Sequence, residues 1–363
     1  MSGCVRPERR SNLLSGLLPV NLPDSACHLP PVNVSPDREI RTVVGLRPYR
    51  PKGFRVELET IGDKRVVHNY GHGGGGLTLS WGTARLAVDL GAPGHVGPVA
   101  VLGCGAVGLA TARLLQEAGF VVSMYAKALP PETTSNIAGG EWGPSFVTGD
   151  PANLTAAFQQ QFDSARQYAY TRFQTMVGQR YGIRWMRKYI ITPQPIPESM
   201  AHCAGPNCTM PELRRLAANE NPFKVGAAAQ FDEMLIEPPI YLPAMIADVR
   251  QAGGRIVVRE IHSMDELQTL SETLIINCTG LGARSLFHDE EMTPMRGQLT
   301  FLVPQPEVTY ATGFNNTYMF SRTDGILLGG THEIGDWSLE PDLKKKAEIL
   351  QEQANLFQHM RSC

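Results

Sequence analysis

Nowhere does the chain carry an apolar run approaching the roughly 18 residues that a membrane-spanning helix needs, and even Val99 to Ala110 is broken by three glycines. No membrane partner is expected. Charge of one sign is also missing: 33 Lys and Arg stand against 35 Asp and Glu, for a net charge of -2, and no basic run exceeds Lys344-Lys345-Lys346. That balance offers nucleic acid no field to follow, and no nucleic-acid partner is expected. Cysteine is scattered and odd in number, seven in 363 residues, which is the pattern of reduced thiols and gives a cytoplasmic expectation. His202-Cys203 and Cys208 have no second Cys/His pair at zinc spacing. That stretch reads as a loop with two free thiols or one local disulfide, and no metal is expected. A nucleophile triad is not evident either. What remains is a globular composition, 42% apolar over a length that suggests about two domains.

Residues 1–37 are rich in Pro, Ser and Asn without periodicity and read as an irregular leader. Arg9-Arg10 followed by Leu13 to Val20 has a twin-arginine look, but Gly16 and Pro19 interrupt it, and a disordered tail is the plainer reading. Arg55 to Leu58 and Arg65 to Asn69 read as a hairpin turning at Gly62-Asp63, and Thr83 to Leu90 reads as a helix. Residues 91–98 carry three glycines and two prolines and read as a linker. Beyond it, Val99 to Leu102 is a buried strand, a helix runs to Ala118 with Gly119 as its cap, and Phe120 to Tyr125 completes a βαβ unit. A helix over Tyr241 to Gln251, strands over Arg255 to Glu260 and Thr273 to Asn277, and a last helix over Pro341 to Met360 are also expected.

The expected plan is thus a leader over 1–37, a segment 38–90 and a linker 91–98, followed by a dinucleotide-binding βαβ over 99–150. Residues 151–240 read as mainly a second, substrate domain, and 241–290 as a return to the first. The substrate domain resumes over 291–340, and 341–363 form a C-terminal helix. The fold class is α/β: a Rossmann-like domain with a second, mostly antiparallel α+β domain.

The strongest local signal is Gly103-x-Gly105-Ala106-Val107-Gly108 between strand and helix. Gly103 allows the tight turn, Gly105 lets backbone approach a pyrophosphate, and Gly108 lets helix and strand pack closely, while the helix N-terminus offers free N–H groups. A dinucleotide is expected. The second strand ends in Ala126-Lys127, where an acid would meet the ribose. Lys127 is either a partner for a 2′-phosphate, which favours NADP, or a solvated strand-end residue. A second signal is Gly45-Leu46-Arg47-Pro48-Tyr49-Arg50-Pro51, two arginines in a turn stiffened by prolines, which reads equally as an anion clamp or as a surface turn. A third is Gly71 to Gly76 followed by Leu77 and Thr78, where backbone N–H groups beside a helix start can stabilise negative charge. His68 and His72 flank it and read as hydrogen-bonding histidines.

Together these residues resemble the flavoprotein D-amino-acid oxidase family, which includes D-aspartate oxidase. Its pattern is also matched by Thr133-Thr134-Ser135 with Ala138-Gly139-Gly140-x-Trp142, by Ile275 to Gly280, by Arg296-Gly297-Gln298, and by Leu328 to Thr331 with Gly335-x-Trp337. Most of residues 38–363 is covered. The arginine turn at Arg47 and the signature His68-Asn69-Tyr70-Gly71-His72-Gly73-Gly74 end a usual member but come first here, so the chain looks like a circular permutation joined through 91–98.

The resemblance implies a Rossmann-like FAD-binding domain with FAD held at Gly103, Gly105, Ala106, Val107, Gly108, Lys127, Thr133, Thr134, Ser135, Gly139 and Gly140, and at Gly73, Gly74, Gly75, Gly76, Leu77 and Thr78. It places the carboxylate-binding arginine on Arg47 and its tyrosine partner on Tyr318, with Gly74 also at the substrate. Three departures stand out: no counterpart exists for a second active-site tyrosine on a lid loop, Lys127 replaces an acid, and Gly75 replaces an aromatic. The implied activity is oxidation of a small D-amino acid by hydride loss to flavin, with molecular oxygen giving hydrogen peroxide and the imino acid hydrolysing to a 2-oxo acid and ammonia. A homodimer is expected. The alternatives are a D-aspartate or glycine oxidase, for which Arg322 or His332 would supply an extra cation, and a non-catalytic dinucleotide-binding protein.

Overall fold

The computed structural model describes residues 28–149, 154–196, 208–211 and 213–361. Arg9-Arg10, His202 and Cys203 lie outside the described residues; Cys208 lies within them and is disulfide-bonded. Two sheets organise the chain. The first, in the order β2-β3-β10-β4-β5-β9, is built from β2 (Arg55–Ile61), β3 (Lys64–Tyr70), β4 (Val99–Leu102), β5 (Val122–Ala126), β9 (Arg255–Val258) and β10 (Leu274–Asn277). All its pairings are parallel except the β2–β3 hairpin. Every residue of β4 and β10 is buried, which is why β4 is an unbroken Val, Ala and Leu run and β10 is Leu-Ile-Ile up to its terminal Asn277, with no alternation.

The second sheet runs β1-β11-β14-β13-β12-β6-β8-β7, with β15 on β11. Its strands are β1 (Glu39–Tyr49), β6 (Ile183–Thr192), β7 (Arg214–Arg215), β8 (Ala227–Ile236), β11 (Thr293–Leu302), β12 (Tyr310–Phe314), β13 (Thr317–Arg322), β14 (Gly325–Gly329) and β15 (Glu333–Ile334). Pairing is antiparallel except between β12 and β6. The helices are α1 (Ser80–Gly91), α2 (Ala106–Glu117), α3 (Ala156–Gln174), α4 (Pro238–Gln251), α5 (Met264–Leu267), α6 (Ala283–Leu286) and α7 (Leu343–Gln358). This is the expected mixed α/β class.

Three expectations change. Arg47 lies on strand β1, paired antiparallel with β11, and not in a turn: Pro48 reaches the strand end, where a missing N–H is tolerated. Within 151–240 stands a 19-residue helix, α3, that the apolar pattern hides because its buried side chains are Ala165, Ala169, Tyr170 and Phe173 amid glutamines. Its one clear signal is the Thr155 cap, whose hydroxyl accepts from Phe158 N at 3.1 Å. The end of the leader, irregular in backbone, is built into the core: Leu29 and Val32 are buried in one cluster with Leu356 and Phe357 of α7, and Tyr310 Oη donates to Pro30 O at 2.7 Å.

Helix α1 carries a glycine for a packing reason. A Cβ on Gly82 would stand 1.9 Å from the Ala165 carbonyl oxygen of α3, so the two helices meet backbone to backbone beside the Trp81 Nε1 to Tyr241 Oη hydrogen bond of 2.9 Å. Gly82→Ala is expected to cost at least about 1–3 kcal/mol by overpacking, read as a lower denaturant midpoint with unchanged m-value. A midpoint equal to the parent's would show that α1 and α3 can part freely.

Candidate active site

A cavity of about 850 Å³ is lined by residues of both sheets, among them Val44 to Pro48 of β1, Leu102 of β4, Tyr125 and Ala126 of β5, and Tyr318 and Phe320 of β13. Its first end is the β4–α2 turn. Gly103 sits at φ +99°, and a Cβ there would meet the Cys278 carbonyl oxygen at 2.5 Å. Gly108 has the Gly103 carbonyl oxygen 2.1 Å from its own Cβ position, so α2 can approach the strand only with glycine there. Gly105 faces the cavity, where a Cβ would come 3.0 Å from Ser135 Oγ. Ala106 and Val107 open the helix on the cavity wall, and Ala106 N donates to that hydroxyl at 3.0 Å. The positive end of the α2 dipole thus faces the cavity.

Thr133, Thr134, Ser135, Gly139 and Gly140 line the same wall, as do Lys127, Arg259 and Glu260. Lys127 is 71% exposed and pairs with Glu260 at 3.6 Å, so the acid absent from the end of β5 stands just beyond the neighbouring strand β9. The glycine loop lies further along. Gly73, Gly74, Gly76, Leu77 and Thr78 line the cavity, and a Cβ on Gly73 would lie 2.0 Å from the Phe146 carbonyl oxygen. Two of the expected cofactor residues do not reach the wall. Gly75 is buried against Val147 and Leu79, and Gly108 packs helix on strand.

At the far end Arg47 and Tyr318 come together. The Arg47 guanidinium donates to the carbonyl oxygens of Thr331 at 3.1 Å and Arg296 at 3.4 Å. Burial pushes the Tyr318 phenol above its ordinary range, against the downward pull of the neighbouring Arg47 cation, so its O–H stays available as a donor. Both side chains lie over glycine. A Cβ on Gly297 of β11 would stand 2.2 Å from Arg47 Nη1, and one on Gly329 of β14 would stand 2.4 Å from the Tyr318 ring. Gly74, Asn316, Gly330, Thr331 and His332 line this end, and His332 stacks on Phe146 with ring centroids 4.7 Å apart.

Other candidates resolve into structure. Arg50 is held by Asp289 at 3.1 Å and Glu291 at 2.7 Å. Arg322 is buried, clamped on Asp324 and donating to the Ala138 carbonyl oxygen at 2.9 Å. Of the two extra cations weighed from sequence, only His332 reaches the cavity. His68 bonds Glu59 at 2.8 Å and Asn277 at 3.1 Å. His72 bonds Thr83 at 2.9 Å, and burial pushes it down to about 3, so its ring is neutral. Sequence reading missed Glu141, a wall residue. The only signal for it was an acid inside an otherwise small and apolar motif.

A family model described as FAD dependent oxidoreductase (DAO) matches residues 21–90 and 98–362. A D-amino-acid oxidase from Streptomyces coelicolor is 31% identical over 267 residues, 72% of this chain and 78% of that one. Human D-aspartate oxidase is 28% identical over 255 residues, covering 69% and 73%. Among solved structures, glycine oxidase from Geobacillus kaustophilus superposes with a TM-score of 0.54 at 15% identity, over 73% of this chain and 80% of that one. This last likeness is one of fold.

The glycine floor makes a prediction. Gly297→Ala and Gly329→Ala should each weaken binding of a small monocarboxylate at least about tenfold, the worth of a lost charge-assisted hydrogen bond, with an unchanged circular dichroism spectrum. Calorimetric titration reads this. Parent-like affinity in both variants would separate Arg47 and Tyr318 from carboxylate binding.

Proposed function

Because the chain belongs to the DAO family of FAD-dependent oxidoreductases, whose cofactor is FAD, we propose that it oxidises small D-amino acids to 2-oxo acids, with ammonia and hydrogen peroxide as co-products. The observation that carries this reading is the Arg47–Tyr318 pair closing one end of a cavity whose other end is the α2 N-terminus. The lining fits the cofactor. Bare backbone at Gly105, the helix N–H groups and the Ser135 hydroxyl suit a pyrophosphate, and about 850 Å³ is within the range of cofactor sites. When bound, FAD supplies a two-electron acceptor that molecular oxygen re-oxidises to give hydrogen peroxide.

The protein's own part is orientation. Arg47 presents a planar fork to the substrate carboxylate, and Tyr318 adds an O–H donor to the same group. Fixing the carboxylate sets where the α-carbon and its amine stand, which converts an encounter into a positioned reaction. His72, though on the wall, is neutral and bonded to Thr83, so no imidazolium competes for the carboxylate there. A second reading, oxidation of D-aspartate, is favoured by one feature, His332 at the Arg47 end.

We also propose that the chain order is circularly permuted relative to its family. The family match falls in two blocks that leave out residues 91–97, and the segment with Leu29 and Val32 packs on Leu356 and Phe357 near the other terminus.

Two outcomes test these readings. Arg47→Leu is expected to lower kcat/KM for D-alanine more than about tenfold in a peroxide-coupled assay, since an anchor of roughly 1.5–3 kcal/mol is lost; equal activity would reject the carboxylate assignment. For the chain order, a gene rejoining Arg361 to His28 through a short linker and opening the chain between Gly91 and Val99 should give a folded protein that retains FAD after gel filtration. Aggregation in place of a flavoprotein would count against permutation.

A further inference from the structure

Beyond the Arg47–Tyr318 anchor, the cavity wall carries a charge cluster that the oxidation itself does not use. Glu141 lines the cavity and keeps 26% of its side chain accessible. Its carboxylate contacts the ammonium of Lys188 on β6, which lies 3.5 Å from Glu233 Oε2 on β8. The two carboxylates converge on Gly143, also on the wall, where a Cβ would stand 3.6 Å from Glu141 Oε1 and 3.5 Å from Glu233 Oε1. With every member ionised, the cluster holds two negative charges against one positive.

Its place is the substrate end. Register sets Lys188 opposite Ala311, and Ala311 opposite Phe320, across β6, β12 and β13. Lys188 Nζ stands 5.9 Å from the Phe320 ring, and Phe320 stacks on Tyr318 with centroids 4.9 Å apart. Gly139, two residues before Glu141, packs against both rings, and Thr78 Oγ1 donates to the Glu141 carbonyl oxygen at 3.4 Å. Glu141 therefore stands between the glycine loop and the Arg47–Tyr318 anchor.

Resting on the D-amino-acid reading above, we propose that Glu141, held by Lys188 and backed by Glu233, is a specificity residue that favours substrates with a cationic side chain over those with an anionic one. The anchored carboxylate fixes one end of the substrate, and the side chain then meets a wall whose accessible charge is a carboxylate. An acidic side chain would be desolvated beside like charge, whereas a guanidinium or ammonium gains a partner. The cluster therefore opposes the D-aspartate reading that His332 favours.

The discrimination depends on pH in a defined direction. Burial pushes Glu233 up to about 7, against the lowering pull of Lys188. Below that value Glu233 is neutral and Lys188 is matched by Glu141 alone; above it the cluster is net negative. Lys188 from β6, Glu141 from the 138–143 segment, Tyr318 from β13 and Arg47 of β1 beside it face this region, and β12 brings the uncharged Ala311 and Gly313. Arg187 and Asp232 pair with one another on the alternate face of β6 and β8. Arg322, beside Ala138 and Gly139, is paired with Asp324, and Arg184 with Glu237.

The test uses the FAD-loaded enzyme and the shift of its flavin spectrum on titration with valerate, 5-aminovalerate and glutarate. At pH 8, 5-aminovalerate should bind at least about tenfold more tightly than glutarate, the scale of one charge-assisted contact. That ratio should fall at pH 6, collapse in Glu141→Gln, and lose its pH dependence in Glu233→Gln. If one variant fails to fold, the parent's ratio and its pH trend still decide. Glutarate binding as tightly as 5-aminovalerate in the parent, or a preference surviving in folded Glu141→Gln, would overturn the proposal. Turnover separates the two readings: the binding order without peroxide from any D-amino acid rejects the oxidase and keeps the specificity residue. Peroxide from D-alanine without charge discrimination does the reverse.

Discussion

The pairing of β1 with β11 is the constraint on which the site depends. It sets Gly45 opposite Gly297 and Arg47 opposite Met295, and side chains two apart on a strand share a face. Arg47 thereby extends along the sheet over Gly297, toward Tyr318 resting over Gly329. A one-residue slip would send Arg47 to the opposite face. The same segment then turns through Arg50, held by Asp289 and Glu291, and gives β2, β3 and α1 to the other sheet. The two sheets are thus tied by a short stretch of chain that also supplies the anchor and the glycine loop.

Much of this could be read in advance. Val99 to Leu102, the helix behind it and Gly119 follow from apolar runs and a glycine cap, and the structure has β4 over those four residues and α2 over Ala106–Glu117. The hairpin about Gly62-Asp63 was equally plain. What composition could not give was position across the sheet. Pro48 and Pro51 suggested a turn, yet strand β1 runs to Tyr49 because β11 supplies its ladder, and a partner hundreds of residues away leaves no local trace. Helix α3 escaped for a different reason. Its neighbour α1 comes so close at Gly82 that alanines suffice to fill the contact, and small residues make a faint apolar stripe.

The glycines divide along similar lines. From spacing alone Gly103, Gly105 and Gly108 form one motif, but they answer three neighbours: Gly103 meets the backbone at Cys278, Gly108 meets Gly103 itself, and Gly105 meets the Ser135 hydroxyl on the cavity wall. Gly75 read as part of a ligand loop, yet Val147 stands against it from behind. Its bareness therefore serves packing while its neighbours form the wall. Gly297 and Gly329 were visible only as members of Arg296-Gly297-Gln298 and Leu328-Gly329-Gly330. Their reason is supplied by side chains on adjacent strands, the kind of constraint that a single chain read in order does not display.

Chain order matters less to the finished site than to its formation. Gly94 and Gly97 have positive φ and nothing within 4 Å of a Cβ position, so the middle of the 91–98 connection is an open turn, while Gly91 at its start packs on Val67 and Leu274. Near the two ends of the described chain Leu29 and Val32 share a cluster with Leu356 and Phe357, so the first and last described parts of the chain are held together by burial. The contacts around Arg47 and Tyr318 do not depend on which loop is cut. The route to them does, because β1 must find β11 across most of the sequence, and the entropy of closing so large a loop precedes any reward from pairing. A site whose anchor and partner come from opposite ends of the chain is expected to complete itself late in folding, after the β2–β3 hairpin and the β4–α2–β5 unit, each local in sequence, have formed.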